Sequence, residues 1–206
     1  MLRNILNFAD LNSINKIIYL SSMAVYHIPD KANYVVKESS KLNNLNNYSI
    51  SKVRDEKMLL KWQRAKKNRK ILILRIPGVV GKKSHGNFIS ELKRKFINKK
   101  VEEIKIFNLE NKFNNVLHID NLINFIKSYL KNFNKSFLII NLASKKPMKL
   151  KYLLKLILKN KMYKEKKIFN LGLDKKSFNI DISKSVRYGF KAYSARTALI
   201  KYFNYD

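Results

Sequence analysis

The chain has 206 residues, a mass of 24.3 kDa and a hydrophobic content of 46%, enough for one packed domain with at most a small second lobe, and too apolar for wholesale disorder. It has no cysteine, which excludes a disulfide scaffold, a thiolate zinc site and a cysteine nucleophile. Against 14 acidic residues stand 44 basic ones, a formal net charge of +30, which raises nucleic acid or an anionic membrane as partners.

The basic residues are nearly all Lys, and Asn and Ile are abundant as well. These three residue types share A/T-rich codons, so a biased genome yields this composition with no ligand involved. Arg, the better reader of phosphate and base edges, is scarce. Compositional bias is therefore the preferred account of the charge. No apolar run approaches the roughly 18 residues of a membrane span. Met1 to Asp10 lacks the apolar core and cleavage site of a signal peptide. A cytoplasmic protein is the default expectation.

Leu2 to Leu11 carries apolar residues at helical spacing. Lys16-Ile17-Ile18-Tyr19-Leu20, ending in Ser21-Ser22, reads as a buried strand. A polar loop follows to about Asn47, then a long helix from Tyr48 to Arg69. Ile71 to Ile76 is a second buried strand, stopped by Pro77-Gly78. Asn87 to Ile97 is amphipathic, and Ile104 to Leu109 and Asn115 to Ile119 read as short strands. Asp120 is the expected N-cap of a helix to about Leu130. Phe137 to Leu142 is a third buried strand and Leu150 to Leu158 a helix. The tail holds a short strand near Ile168, a helix from Ser183 and a last one from Ala195 to Phe203. Apolar strands alternating with helices predict an α/β fold with a parallel sheet. The tail after Ala143 breaks that rhythm and reads as a small appended lobe.

Two segments carry chemistry. The strand ending in Ser21-Ser22 presents hydroxyls at its carboxyl end, where open α/β sheets bind ligands. Tyr48 and Lys52 stand four apart at a helix start and so share a face. An ammonium beside a phenol favours the phenolate. Tyr48 is thus a candidate general acid/base for interconverting an alcohol and a ketone, and Ser22 a candidate to hold the same substrate oxygen. Tyr-x-x-x-Lys alone arises readily by chance in a Lys-rich chain. Order, spacing and context together are stronger.

The sequence resembles the extended short-chain dehydrogenase/reductase family, in particular its nucleotide-sugar-modifying NAD-dependent epimerase/dehydratase group. Lys16 to Tyr26 is similar to the family's strand with Ser-Ser and Val-Tyr-Gly. Glu38, Asn46 and Tyr48 to Lys52 resemble its acidic loop and Tyr-x-x-x-Lys; Leu74 to Gly81 its Leu-Arg-x-x-x-Val-Tyr-Gly; and Phe113 to Leu122 its His-Val-Asp-Asp-Leu segment. Ile139 to Ser144 and Ile180 to Lys184 with Gly189-Phe190 also fit. The resemblance implies a Rossmann-like sheet, a small α+β substrate lobe and NAD or NADP as cofactor. It implies Ser22, Tyr48 and Lys52 as catalytic residues. Ser21, Tyr48, Lys52 and Pro77 would contact cofactor, and Ser22, Asn87 and Asn114 the nucleotide-sugar substrate. No metal is implied. It divides the chain into residues 1–81, a Rossmann-like part; 82–117, a substrate-lobe insertion; 118–143, a return to the sheet; and 144–206, a C-terminal substrate lobe. A homodimer through Leu2 to Leu11 and Tyr48 to Lys61 is a further expectation.

There are departures. His27 replaces the usual Gly, Asn44 and Asn47 replace two prolines, Gly78 stands where several 4-epimerases carry Asn, and Asn114 where those carry Arg. They point away from a UDP-hexose 4-epimerase. The largest departure is an absence. The five glycines, at 78, 81, 86, 172 and 189, form no glycine-rich pyrophosphate-binding turn, which the family places at its very start. With about 30 residues per βαβ unit, roughly 80–100 residues of leading strands are expected outside this sequence, in a split or truncated enzyme or a separately encoded N-terminal half. The chain alone is expected to be inactive. Two alternatives stand beside the enzyme: a non-catalytic remnant or subunit of the same fold, and a basic nucleic-acid-binding protein using Lys61 to Lys70, Lys93 to Lys100 and Tyr163 to Lys167.

Overall fold

The computed structural model describes residues 1–31, 34–42, 46–158, 166–172 and 178–204. Asn44 and most of the basic run from Tyr163 lie outside the described residues.

The chain begins with α1 (Leu2–Leu11) and β1 (Lys16–Ser22), followed by a 3₁₀ turn (Met23–Val25) and β2 (Tyr34–Val36). Then come α2 (Asn47–Arg64), β3 (Lys70–Ile76), β4 (Gly78–Val80) and α3 (Phe88–Ile97). Three short strands, β5 (Glu103–Ile106), β6 (Lys112–Phe113) and β7 (Val116–His118), lead into α4 (Ile119–Lys131) and β8 (Phe137–Asn141). The remainder is β9 (Met148–Lys149), α5 (Leu150–Leu158), β10 (Lys167–Asn170), β11 (Phe178–Ile180), α6 (Ser183–Arg187) and α7 (Ala195–Phe203).

The main sheet is parallel, in the order β1-β3-β8. Its strands read as continuous apolar runs because both faces are covered. Odd-numbered residues Ile71, Ile73, Ile17 and Ile139 pack with Leu6, Leu59 and Trp62 of α1 and α2. Even-numbered Leu72, Leu74, Leu138 and Ile140 pack with Leu122, Phe125 and Tyr129 of α4. Leu72, Ile73 and Leu74 are fully buried. β1 is an outer strand, and Leu20 near its end is 42% exposed. Ile89, Leu92 and Phe96 of α3, Ile104 of β5, Leu153 of α5 and Leu199 of α7 form another core.

Several local expectations need correction. The long helix ends at Arg64, not Arg69. Arg69 folds back instead: its guanidinium donates to the Trp62 carbonyl at 2.6 Å and pairs with Asp10 of α1. Pro77 ends the pairing with β8, having no N–H to give, yet the chain stays extended and finds a new parallel partner as β4 against β7. The loop before α2 contains β2, which pairs with the distant β11. The N-cap of α4 is His118 rather than Asp120: the Asp120 N–H donates to His118 Nδ1 at 3.2 Å.

Truncating the fully buried Leu74 to Ala should lower the unfolding free energy by about 3 kcal/mol, while the exposed Leu11→Ala should change it by no more than about 0.5 kcal/mol, as urea denaturation would measure. Burial depresses the pKa of His118, with the Asp120 carboxylate partly opposing. The unfolded chain then binds the His118 proton more readily than the folded one. Its contribution is fully present above the ordinary His value of about 6.5 and is lost as pH falls below it. Thermal melts between about pH 7 and pH 5 should show this slope, and His118→Gln should flatten it.

Candidate active site

The start of α2 is set by a capping box. Asn46 Oδ1 accepts the Ser49 N–H at 2.8 Å, and Ser49 Oγ accepts the Asn46 N–H at 3.4 Å. Tyr48 stands in the first turn and is 54% exposed. Lys52, one turn on, crosses to β1, where its ammonium donates to the Leu20 carbonyl at 3.0 Å and to the Tyr19 hydroxyl at 3.2 Å. It lies 5.8 Å from the Tyr48 ring centre. The structure therefore brings Tyr48, Lys52 and the carboxyl end of β1 together. Ser22 ends that strand, and its Oγ accepts the Ala24 N–H at 3.1 Å. That bond uses an oxygen lone pair and leaves the hydroxyl proton uncommitted by it.

Beneath these groups runs a buried polar row. Ser21, Arg75 and Asn141 are register partners across β1, β3 and β8. Arg75 grips Glu56 of α2 with two bonds, Nε to Oε1 at 3.0 Å and Nη2 to Oε2 at 2.6 Å. Ser21 Oγ donates to Glu56 Oε1 at 2.6 Å. Arg75 Nη1 donates to the Tyr26 hydroxyl at 2.8 Å, which donates on to Asn141 Oδ1 at 2.7 Å. The Glu38 carboxylate accepts the Asn141 N–H at 2.8 Å. Burial pushes the Tyr26 phenol up to about 12, against the lowering pull of Arg75. For Arg75 burial works against the charge, but the bonds to Glu56 and Tyr26 outweigh it and its pKa is raised.

Three expected ligand contacts look different in space. Ser21 is only 3% exposed and its proton goes to Glu56, so its side chain braces α2 against the sheet. Asn114 is 2% exposed. Its amide donates to the Ser144 and Ile180 carbonyls and accepts the Ile180 N–H, so it ties the segment before β7 to Ser144 and to the end of β11. Asn87 caps α3 through Ser90 and donates to the Val79 carbonyl at 3.1 Å. It also lines a cleft of about 510 Å³ with Gly78, Phe88, Phe107, Phe113 and Leu150. A Cβ at residue 78 would sit 3.0 Å from Asn87 Cβ, so the glycine there admits Asn87. Pro77 is buried at the β3–β4 break.

Sequence reasoning missed Tyr19, Asp55, Glu56 and Arg75 as parts of this site. A signal existed for two of them. Glu56 is the lone carboxylate in the buried stripe Ser49, Val53, Glu56, Leu59 and Trp62 of α2, and Arg75 interrupts an otherwise apolar strand. A buried charge requires a buried partner.

The model of the NAD dependent epimerase/dehydratase family matches residues 1–143. A curated relative, the N-acetyl-alpha-D-glucosaminyl-diphospho-ditrans,octacis-undecaprenol 4-epimerase of Escherichia coli O157:H7, is 28% identical over 152 residues, 69% of this chain and 41% of that protein. The chain thus spans less than half of that relative's length. Among solved structures, the UDP-Glc/GlcNAc 4-epimerase of Campylobacter jejuni aligns with a TM-score of 0.79 at 20% identity, over 98% of this chain and 68% of the other. RMD from Pseudomonas aeruginosa, complexed with NADPH, gives 0.79 at 16% over 98% and 70%. MoeE5 in complex with UDP-glucose and NAD gives 0.77 at 15% over 98% and 68%. These likenesses show the Rossmann-like fold. The chain belongs to the NAD-dependent epimerase/dehydratase family.

Replacing Arg75 with Met should lower stability by about 3–5 kcal/mol, because Glu56 is left charged and buried without its partner. Adding Glu56→Met should restore part of that loss in the same denaturation assay.

Proposed function

We propose that this chain carries the acid/base part of an NAD(P)-dependent epimerase, dehydratase or reductase acting on a nucleotide-linked sugar. The observation that carries this reading is the Lys52 ammonium bonded to the Leu20 carbonyl, with Tyr48 one helical turn before it and Ser22 two residues along the strand. Tyr48 takes the proton of a sugar hydroxyl and later returns one. Ser22 donates a hydrogen bond to the same oxygen and fixes it against Tyr48. Lys52 stabilises the phenolate that accepts this proton and that forms again when the proton is returned. The cleft at Asn87, with exposed Phe88 and Phe107 and with Lys105 and Lys112 on its wall, suits the diphosphate and ring of the substrate carrier. The curated relative's name specifies a polyprenol diphosphate sugar and MoeE5 holds a UDP sugar. A glycosyl diphosphate is the chemistry the two share.

The residues present fit one end of the cofactor. Lys52 with Tyr48 suits the nicotinamide ribose, and Pro77 the nicotinamide ring. When bound, the nicotinamide supplies hydride acceptance and return. The pyrophosphate end finds no glycine-rich turn in these 206 residues, so the active unit in our reading includes a further polypeptide segment bearing that turn, aligned along the open side of β1. The exposed Leu20 on that outer strand supports this. A homodimer through α1 and α2 is also part of the proposal, supported by the exposed Ile5, Phe8 and Leu11. The non-catalytic remnant is the competing reading. Nucleic-acid binding is a weaker one, since loss of binding with salt alone would report only counterion release.

Calorimetry of NADH against the chain alone should show no binding. Clear one-to-one micromolar binding would overturn the need for a second segment. With the complementing half present, Tyr48→Phe should cut turnover of a sugar diphosphate by about 10²–10⁴-fold. Unchanged turnover in that variant would sink the acid/base assignment, and no turnover in the parent would favour the remnant.

A further inference from the structure

We propose that Tyr19 is a positioning residue whose hydroxyl, oriented by Asp55, holds the Lys52 ammonium in place at the carboxyl end of β1. This deepens the reading of Lys52 given above and rests on it.

A lysine head on a flexible four-carbon stem loses rotamer freedom when it is fixed, so a fixed ammonium needs anchors. The Leu20 carbonyl at 3.0 Å is one and the Tyr19 hydroxyl at 3.2 Å is the other. The ammonium also lies 4.8 Å from the Tyr19 ring centre, within cation–π range. A phenol has a single proton. Here it is donated to Asp55 Oδ2 at 2.7 Å, so the oxygen must turn a lone pair toward Lys52. Asp55 stands three residues after Lys52 on α2. The helix thus supplies both the cation and the anion, and the strand supplies the phenol between them. The two charges polarise the hydroxyl in the same sense, and each bond strengthens the other.

The charged and titratable groups facing Tyr19 are Asp55, Glu56 and Tyr48 along with Lys52. Burial first, and the bond to Asp55 second, push ionisation of Tyr19 far above the ordinary phenol range. The hydroxyl therefore keeps its proton wherever the protein works, and its acceptor side stays free for Lys52. The result is a lysine set in position before any ligand arrives, with two of its three N–H groups already engaged. Pre-setting a long cation in this way removes an ordering cost from ligand binding.

The test is pulse labelling of the 206-residue chain with acetic anhydride, read at each lysine by mass spectrometry between about pH 7 and pH 10, with the exposed Lys57 and Lys61 as internal references. Tyr19→Phe keeps the ring and removes the bond, and should raise the Lys52 labelling rate about tenfold while the references stay constant. Asp55→Asn should also raise it. In the Tyr19→Phe background Asp55→Asn should add nothing, because Asp55 acts through the phenol. Carbon-13 NMR of the tyrosine ring carbons should show Tyr19 titrating at lower pH in Asp55→Asn. An unchanged Lys52 rate in folded Tyr19→Phe overturns the proposal, as does an Asp55→Asn effect that persists without the Tyr19 hydroxyl. If Tyr19→Phe does not fold, the partly exposed Asp55→Asn decides alone: unchanged Lys52 labelling overturns the clamp. Labelling requires no turnover, so a failed clamp is distinguishable from a failed acid/base role for Tyr48.

Discussion

The pairing of Arg75 with Glu56 is the constraint on which the rest of the site depends. Both are nearly excluded from water, at 4% and 6% side-chain exposure. Neither charge is tolerable there alone. Their union therefore dictates how α2 lies on the sheet: Glu56 must sit over the row formed by Ser21, Arg75 and Asn141. With that point fixed, the helical repeat determines where every other residue of α2 goes. Lys52, one turn earlier, reaches the end of β1, and Tyr48, two turns earlier, opens at the surface. A buried ion pair of this kind adds little net stability compared with an apolar substitute. What it contributes here is register between a helix and three strands.

The two faces of the sheet divide the labour. The side carrying odd-numbered residues holds α1, α2 and the polar row, and thus the candidate acid/base residues. The other side, packed by α4 and Phe190, is almost wholly apolar. The core built from α3, β5, α5 and α7 stands apart from both. Its near edge carries the cleft at Asn87. The candidate acid/base residues and the cleft at Asn87 thus draw on different hydrophobic clusters of the same chain.

Much of this was legible in the sequence, for reasons that are local. α1, α5 and α7 declare themselves by helical spacing of apolar residues, and β1, β3 and β8 by short β-branched runs that are covered on both sides. The nearness of Tyr48 and Lys52 to the end of β1 was legible because a motif's order survives without knowing the fold. What was not legible is of another kind. β2, β6 and β9 are two or three residues long and exist through partners far away in the chain. Ser21 and Asn114 are polar residues near a site, but whether a polar side chain faces a ligand or braces the backbone depends on what lies opposite it. Glu56 lies opposite Ser21, and the carbonyls of residues 144 and 180 lie opposite Asn114. Tyr19 had no signal of its own, since a tyrosine in a strand is ordinary until Asp55 and Lys52 are seen to meet at its hydroxyl.

The anchoring of α2 at its buried middle also limits how this molecule can move. The helix is held at Glu56 to the sheet, and at its far end Trp62 bonds to Asp10 of α1 while Arg69 clasps the Trp62 carbonyl. Turning or sliding it would break charged bonds inside the protein. The candidate acid/base residues Tyr48 and Lys52 thereby stand on a helix that charged bonds fasten to its neighbours.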